Sequence, residues 1–169
     1  GTNKGIVLID TKKNIMRVLD KSKGLSNDFV QAFTKFNQQI LVSSNGGLDI
    51  IDPVNKTIEH IGKKEGLASD TNYVVFKDRD ANTWVTGPRN GINEVDAAKK
   101  MIRHTDVAGG LSDNNVQDVK QDNNGLIWVA TSMGGVDVID LHKNTVKYLN
   151  NQPGLKDTCS KMMLKDQYG

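Results

Sequence analysis

Three histidines, His60, His104 and His142, are the side chains best suited to acid–base chemistry near neutral pH. His60 and His104 each follow an equivalent glycine, Gly47 or Gly91, by 13 residues. Residues at matching places of a repeated segment are expected to have structural roles, and His142 is predicted to lie in a turn. The sequence therefore predicts no catalytic residue and a protein that is not an enzyme.

A second group of residues has the spacing of the start of a calcium-binding loop. Oxygen-bearing side chains alternate in Asp78-Arg79-Asp80-Ala81-Asn82, as the ligands of such a loop do. Thr83 and Arg89 stand where the loop needs its glycine and its glutamate. Asp78 is therefore predicted to begin a hairpin turn, and we expect neither a metal site nor a cofactor.

Trp84 and Trp128 could stack against a sugar ring, because an aromatic face suits the apolar face of a pyranose. Each tryptophan follows an aspartate, Asp78 or Asp122, by six residues. Such repeated positions favour packing between neighbouring sheets, where a large ring fills the gap, over ligand binding.

The strands that position these residues can be inferred from a sequence repeat. Four glycines open apolar segments that end in aspartate, at intervals of 42, 44 and 44 residues, and a set of Gly-Leu pairs has the same intervals. A fixed period of this length is typical of repeat proteins, in which one copy cannot bury its own apolar surface. The opening glycines are Gly5, Gly47, Gly91 and Gly135, and the Gly-Leu pairs begin at Gly24, Gly66, Gly110 and Gly154.

The copy that follows Leu111 shows the local structure of one repeat. No window in the sequence keeps a helical periodicity over three turns. Residues 122–125 combine Asp, Asn and Gly, which favour a tight hairpin turn. Four short antiparallel strands in about 40–45 residues are typical of a β-propeller blade, whereas the coils of a β-solenoid are much shorter. The predicted strands are 115–121, 126–132, 136–140 and 145–149.

We therefore predict an all-β fold, a β-propeller fragment with about three complete four-stranded blades and partial blades at both ends. All of these blades belong to one propeller fragment. The single cysteine, Cys159, is expected to be a buried, inert thiol in an inner strand. The predicted boundaries are 1–20 for a partial blade of strands three and four, 21–65, 66–109 and 110–153 for complete blades, and 154–169 for a partial blade with strand one.

The aligned copies resemble the two-component regulator propeller repeat. The fullest match begins at Gly110-Leu111-Ser112, continues through residues 122–131 and includes Gly135 and Asp140. Other copies depart from the pattern. Phe36 stands at the place of Asp122, and Ile40 stands at the place of the tryptophan.

The resemblance implies the periplasmic sensor region of a two-component histidine kinase, often a hybrid one, of Bacteroides-type bacteria. Such a region would recognise oligosaccharides derived from extracellular glycans and relay the signal to a kinase, with the parent anchored in the inner membrane. Two alternatives stay open. One is a structural scaffold or dimerisation propeller without its own ligand site. The other is a propeller lyase, because streptogramin lyases have related repeats and a catalytic histidine, but no histidine here is expected on a loop near the axis.

Ligand contacts are predicted on the face where the loops after strands two and four emerge. Amide groups there suit the hydroxyl groups of a carbohydrate, and a guanidinium can hold a uronate or a sulfate through two parallel hydrogen bonds. Turn chemistry explains most of these polar residues equally well, but it explains Arg89 least. The candidate ligand-binding residues are Arg89, Asn90, Asn45, Asn72, Asn114 and Asn115.

Charge and apolar surface limit the partners. The net charge is +2, and the lysines are scattered along the chain, which argues against a nucleic-acid partner. No apolar run of about 20 residues, the length of a membrane-spanning helix, is present. A propeller fragment exposes a sheet face at each end, so we expect self-association into a homodimer that completes a propeller-like ring.

Overall fold

Antiparallel strands make up nearly all of the regular structure of the chain. The computed structural model describes residues 1–99, 101–149 and 159–166. The first two strands, β1 (Ile6–Asp10) and β2 (Ile15–Leu19), pair as a two-stranded sheet. Two single turns of 3-10 helix, Lys21–Lys23 and Lys63–Glu65, precede the first and second four-stranded sheets.

Three four-stranded sheets follow, and each is a meander in which every strand pairs with its neighbours along the chain. The predicted all-β propeller fragment with four-stranded antiparallel blades is thereby confirmed. The first sheet contains β3 (Val30–Phe36), β4 (Gln39–Ser44), β5 (Gly47–Asp52) and β6 (Thr57–Ile61). The second contains β7 (Val74–Lys77), β8 (Thr83–Thr86), β9 (Ile92–Val95) and β10 (Ile102–Thr105). The third contains β11 (Val116–Gln121), β12 (Ile127–Thr131), β13 (Gly135–Asp140) and β14 (Thr145–Tyr148).

The chain forms two compact units, residues 1–75 and residues 76–169, and each has its own apolar core. Both cores collect inward-facing side chains from several strands, because successive side chains of a strand point to opposite faces of its sheet and the apolar face excludes water. The core of the first unit contains Ile6, Leu25, Val30, Val42 and Ile51. The core of the second unit contains Trp84, Ile92, Leu111, Val116, Val119, Ile127, Val129 and Ile139.

Steric crowding explains why glycine opens the third strand of these sheets. Gly47 has a φ of 120°, and a Cβ at this residue would lie 2.5 Å from the carbonyl oxygen of Ile61 on β6. Gly91 has a φ of 64°, and its Cβ would collide with the carbonyl of Thr105 on β10. Any other residue would adopt a disfavoured backbone conformation and also press on strand four, so the repeat keeps glycine here.

The aspartate–tryptophan pairs close the hairpins between the first and second strands of two sheets. The Asp78 carboxylate accepts hydrogen bonds from the Trp84 indole at 2.9 Å and from the Asn82 backbone N–H at 2.8 Å. Asp122 accepts the equivalent bond from the Trp128 indole at 3.0 Å. The predicted turn at Asp78 is present, and its carboxylate oxygens are occupied by the hairpin.

The register of the first sheet differs from the sequence alignment at one point. Leu41 pairs with Ile50 on β5, which is the place on strand three that faces Trp84 and Trp128 in the other sheets. The tryptophan position is therefore taken by Leu41, and the assignment of Ile40 to it was wrong. The loop between β4 and β5 has two residues, whereas the loop between β12 and β13 has three, so counting back from Gly47 by the spacing of the other repeats reaches Ile40 instead of Leu41.

Residues 159–166 run beside the third sheet without forming a strand. The Ser160 N–H donates to the Thr131 carbonyl at 3.0 Å, and the Met163 N–H donates to the Asp118 carboxylate at 2.9 Å. Cys159 is exposed, so the prediction of a buried thiol in an inner strand was wrong. The remainder of the predicted last partial blade, with the Gly-Leu pair at Gly154, lies outside the described residues.

Candidate functional site

The loops after strand two lie beside the residues that precede strand one, as the meander predicts. In the first unit, the Asn45 N–H donates to the Phe29 carbonyl at 3.2 Å, and the Asn72 N–H donates to the Ser44 carbonyl at 3.0 Å. Asn45 is exposed, whereas Asn72 is fully buried. Backbone hydrogen bonds thus bring the two candidates to either side of one loop, but only Asn45 reaches the surface.

Three further candidates meet in the second unit. The Gly91 N–H, next to Asn90, donates to the Asn114 carbonyl at 2.8 Å, and the Ser132 N–H donates to the Asn115 carbonyl at 3.0 Å. Asn90, Asn114 and Asn115 are all half-buried. Backbone hydrogen bonds therefore bring these three residues into one loop cluster of the second and third sheets.

The Asn114 side chain already has a structural role. Its Oδ1 accepts a hydrogen bond from the Val107 N–H at 2.8 Å. Asp28 and Asp70 make the same bond to the Lys21 and Lys63 N–H groups, at 2.6 and 2.7 Å. This position caps the turn that follows strand four in each repeat, so turn geometry accounts for its polarity.

Asn72 occupies a place that valine holds in the other sheets. Its equivalents in the repeat are Val30 and Val116, which belong to the two cores. The Asn72 amide donates to the Ser69 carbonyl at 3.2 Å, but its Oδ1 has no hydrogen-bond partner among the described residues. A buried side chain of this kind cannot touch a ligand bound at the surface, so its polarity concerns the interior of the first unit.

Arg89 has the least ordinary environment of the six candidates. It is exposed, and its side chain makes no hydrogen bond or ion pair with any other described residue. Its φ is 56°, in the left-handed region that ordinary residues avoid. The equivalent loop residues Asn45 and Met133 do not share this conformation. Strained residues with free polar groups cluster at functional sites, so Arg89 stays the leading candidate.

The first unit also contains a polar cleft that sequence reasoning missed. Its volume is about 250 Å³, and Asn45 is its one candidate residue. The charge of this cleft was visible in the sequence, because Lys63-Lys64 corresponds to Val107-Ala108 in the next repeat. The lining residues are Asn45, Gly46, His60, Gly62, Lys63, Lys64, Glu65 and Asp70.

The free hydrogen-bond donors of this cleft are the ammonium groups of two lysines, Lys63 and Lys64. Glu65 and Asp70 each accept a backbone N–H at 2.7 Å, from Gly62 and from Lys63. The ammonium groups of Lys63 and Lys64 have no ion pair with another described residue. The cleft therefore offers two ammonium groups to a ligand with acidic or hydroxyl oxygens, next to two carboxylates that each accept one backbone hydrogen bond.

The orientation of His60 in this cleft is set by a buried carboxylate. Its Nδ1 lies 3.2 Å from Oδ1 of Asp49, which is fully buried. Oδ2 of Asp49 accepts hydrogen bonds from the backbone N–H and the hydroxyl of Ser26, at 3.0 and 2.9 Å. His104 lies on a different sheet and has a different neighbour, Asp106, at 3.9 Å. His60 on β6 and His104 on β10 therefore each interact with an aspartate close to their own sheet.

Two other features, a metal site and a membrane-spanning helix, are absent from the described residues. No group of three or more His, Cys, Asp or Glu side chains could hold a metal ion there. The only helices of those ranges are the two short 3-10 turns, so none is long and apolar enough to span a membrane.

Meander sheets with an aspartate–tryptophan hairpin and a glycine at the start of strand three define a β-propeller repeat protein. Residues 110–133 match the family model described as "Two component regulator propeller". This match confirms the resemblance inferred from the sequence, and it covers the first half of the repeat in which that resemblance is fullest. No curated protein matches the chain.

Solved structures have the same fold. The extracellular domain of a putative hybrid two component system from B. thetaiotaomicron aligns with a TM-score of 0.79 and 20% identity, over 100% of this chain and 25% of that one. A second such domain from B. thetaiotaomicron aligns with a TM-score of 0.73 and 18% identity, over 86% and 20%. PorZ, a surface component of the type-IX secretion system of Porphyromonas gingivalis, aligns with a TM-score of 0.57 and 12% identity, over 70% and 16%. At these identities the similarity shows the fold alone, and the chain spans a quarter or less of these structures.

Proposed function

We propose that the chain is a non-enzymatic, periplasmic sensor propeller of a two-component system. It recognises oligosaccharides derived from extracellular glycans, and its parent passes the signal to a histidine kinase. The family match at residues 110–133 supports the regulatory context. The extracellular location stated for the domains from B. thetaiotaomicron supports the compartment.

The free guanidinium of Arg89 is the observation that carries the ligand part of the proposal. A guanidinium offers five N–H donors in a planar fork, which matches a carboxylate or a sulfate. In Arg89 no described residue uses these donors, and the backbone holds a conformation that costs free energy. The cleft beside His60 also presents the two ammonium groups of Lys63 and Lys64, which suit the acidic or hydroxyl oxygens of an oligosaccharide.

Replacing Arg89 with glycine tests the ligand. We expect isothermal titration with digalacturonic acid and with sulfated disaccharides to show a loss of affinity of about 10–100-fold, the value of one or two charged hydrogen bonds. Glycine also accepts a positive φ without strain, so the stability of Arg89→Gly should equal or exceed that of the native protein.

Arg17→Ala is the matched control, because Arg17 on β2 is exposed and makes no hydrogen bond or ion pair with another described residue. Its affinity for the same ligands should be unchanged. Equal affinities of Arg89→Gly and the native protein would refute a role for Arg89. If the native protein bound neither acidic nor neutral sugars, the scaffold alternative would be favoured.

The scaffold alternative has support of its own from apolar surface on β1 and β2. Ile9 and Met16 pair directly across the two strands and are 65% and 68% exposed. Val7 and Val18 extend the same apolar face. Exposed apolar faces of this kind drive association, so we propose that the chain forms a homodimer through this sheet.

Sedimentation velocity at increasing concentration tests the proposed dimer. We expect a dimer for the native protein and a monomer for Ile9→Lys/Met16→Lys. Met133→Lys is the control, because Met133 is 78% exposed on a loop of the third sheet and should leave the dimer intact. A native protein that stays monomeric at the highest concentration would contradict the proposal.

A further inference from the structure

Glu94, on β9, is a charged residue at an apolar place of the repeat. It is 7% exposed and pairs with Trp84 on β8. The equivalent residues on the third strands of the other sheets are Ile50 and Val138. A carboxylate is rarely retained in such surroundings unless a partner compensates for the lost hydration.

The structure of the second unit provides no sufficient partner for this carboxylate. Oε2 of Glu94 has no hydrogen bond with any described residue. The nearest cation is Arg103, whose Nε lies 3.8 Å away, too far for a hydrogen bond. Burial raises the pKa of Glu94, and the nearby Arg103 only partly opposes that effect. The carboxyl group therefore needs a hydrogen-bond donor that the protein itself does not supply.

A cleft of about 120 Å³ lies directly at this carboxylate, between the second and third sheets. Its floor contains the buried side chains of Trp84, Glu94 and Ile139. The exposed residues Arg103 and Asn144 lie at its rim. The remaining lining residues are Thr105, Gly109, Leu141, Thr145 and Val146. We call this site the Glu94 cleft.

Charge and volume restrict what can enter the Glu94 cleft. A cation would meet the guanidinium of Arg103, and an anion would meet the carboxyl group of Glu94. A hydroxyl group avoids both conflicts, because it donates to a carboxylate and accepts from a guanidinium at the same time. The volume equals that of about four water molecules, which is enough for the hydroxyl-bearing edge of one sugar ring but not for a whole oligosaccharide.

We propose that the Glu94 cleft is a subsite that binds the hydroxyl groups of a single neutral saccharide unit. Glu94 accepts from one hydroxyl group, Arg103 donates to the same or the adjacent oxygen, and the apolar floor packs against ring carbons. The inference rests on the proposed recognition of saccharides, but it uses different residues from Arg89 and a neutral part of the ligand. It also accounts for the retention of an acid where the repeat otherwise has Ile or Val.

Isothermal titration with the neutral disaccharides maltose, cellobiose and xylobiose tests the proposal. We expect at least one of them to bind the native protein, and Glu94→Gln to weaken that binding about tenfold or more. Glu94→Ile places the residue of the first sheet at this position. It should abolish binding and raise the midpoint of thermal unfolding, because an apolar side chain replaces a buried acid whose Oε2 has no hydrogen bond with a described residue.

The unfolding midpoint separates loss of the site from loss of the fold, and Arg89→Gly serves as the second control. Arg89→Gly should keep the affinity for the neutral disaccharide while losing the affinity for the acidic one. Binding of acidic but not neutral sugars would overturn the Glu94 cleft and leave the proposed function intact, whereas no binding of either class would overturn both. Unchanged neutral binding in Glu94→Ile would likewise overturn the inference, and the cleft would then hold only water.

Discussion

Replacing Trp84 with alanine is expected to lower the free energy of unfolding by about 3–5 kcal/mol, the usual cost of removing a large buried aromatic side chain. Trp84 is 2% exposed and belongs to the core of the second unit. Its indole N–H also donates to Asp78, which is itself 1% exposed. The substitution would therefore create a cavity and remove a hydrogen bond from a buried carboxylate, and urea denaturation measures the sum of the two effects.

Trp128→Ala is the matched control for this prediction. Trp128 makes the same indole bond, to Asp122, but it is only half-buried. We expect a smaller loss of about 1–2 kcal/mol, in proportion to the apolar area that is removed from contact. Equal losses in the two variants would show that the hydrogen bond, and not the packing of the ring, dominates the contribution of these tryptophans.

Replacing Gly91 with alanine is expected to cost about 2–6 kcal/mol, from the strain of a positive φ together with a collision against strand four. The φ of Gly91 is 64°, and an added Cβ would overlap the carbonyl oxygen of Thr105. That oxygen belongs to the backbone of β10, so it cannot move aside as the end of a flexible side chain can. The loss should be visible in the midpoint of urea denaturation.

Gly125→Ala separates the two contributions to this loss. Gly125 has a φ of 89°, but the nearest atom to an added Cβ is the Arg79 guanidinium at 3.8 Å. Only the backbone strain remains, and we expect a loss of about 1–2 kcal/mol. If the two alanine variants lost the same free energy of unfolding, the contact with strand four would not be the reason for the repeated glycine.

Local chemistry explains why the fold could be predicted from the sequence. The strand predicted at 136–140 is β13, Gly135–Asp140, and the strand predicted at 145–149 is β14, Thr145–Tyr148. Alternating apolar residues and Asp-Asn-Gly turns act within a few residues, so they are visible without tertiary contacts. The error at Ile40 came from the length of a loop, because the loop between β4 and β5 is one residue shorter than the loop between β12 and β13, which changes the spacing between strand two and the glycine that opens strand three.

The candidate site could be predicted only in part. Whether a polar side chain already has a hydrogen-bond partner depends on residues that are distant in the sequence. Asn114 and Arg89 were both candidates in the sequence, and turn chemistry explained Arg89 the less well of the two. In the structure Asn114 caps the turn at Val107, whereas Arg89 has no partner among the described residues. Asparagine is common in surface loops, but Asn72 lies in the interior, at a place that valine holds in the other sheets.

The sequence by itself determined the period, the strands, the turn aspartates and the glycines of this chain, because backbone sterics and apolar alternation repeat with each copy. Only the tertiary structure decided which polar groups remain available to a ligand. Lys63 and Lys64 line a cleft with His60, and Glu94, whose Oε2 has no hydrogen bond with a described residue, lies at a second cleft between two sheets. The physical reason is that a hydrogen-bond partner or a cavity wall comes from strands that are remote in the sequence, and no local pattern records their approach.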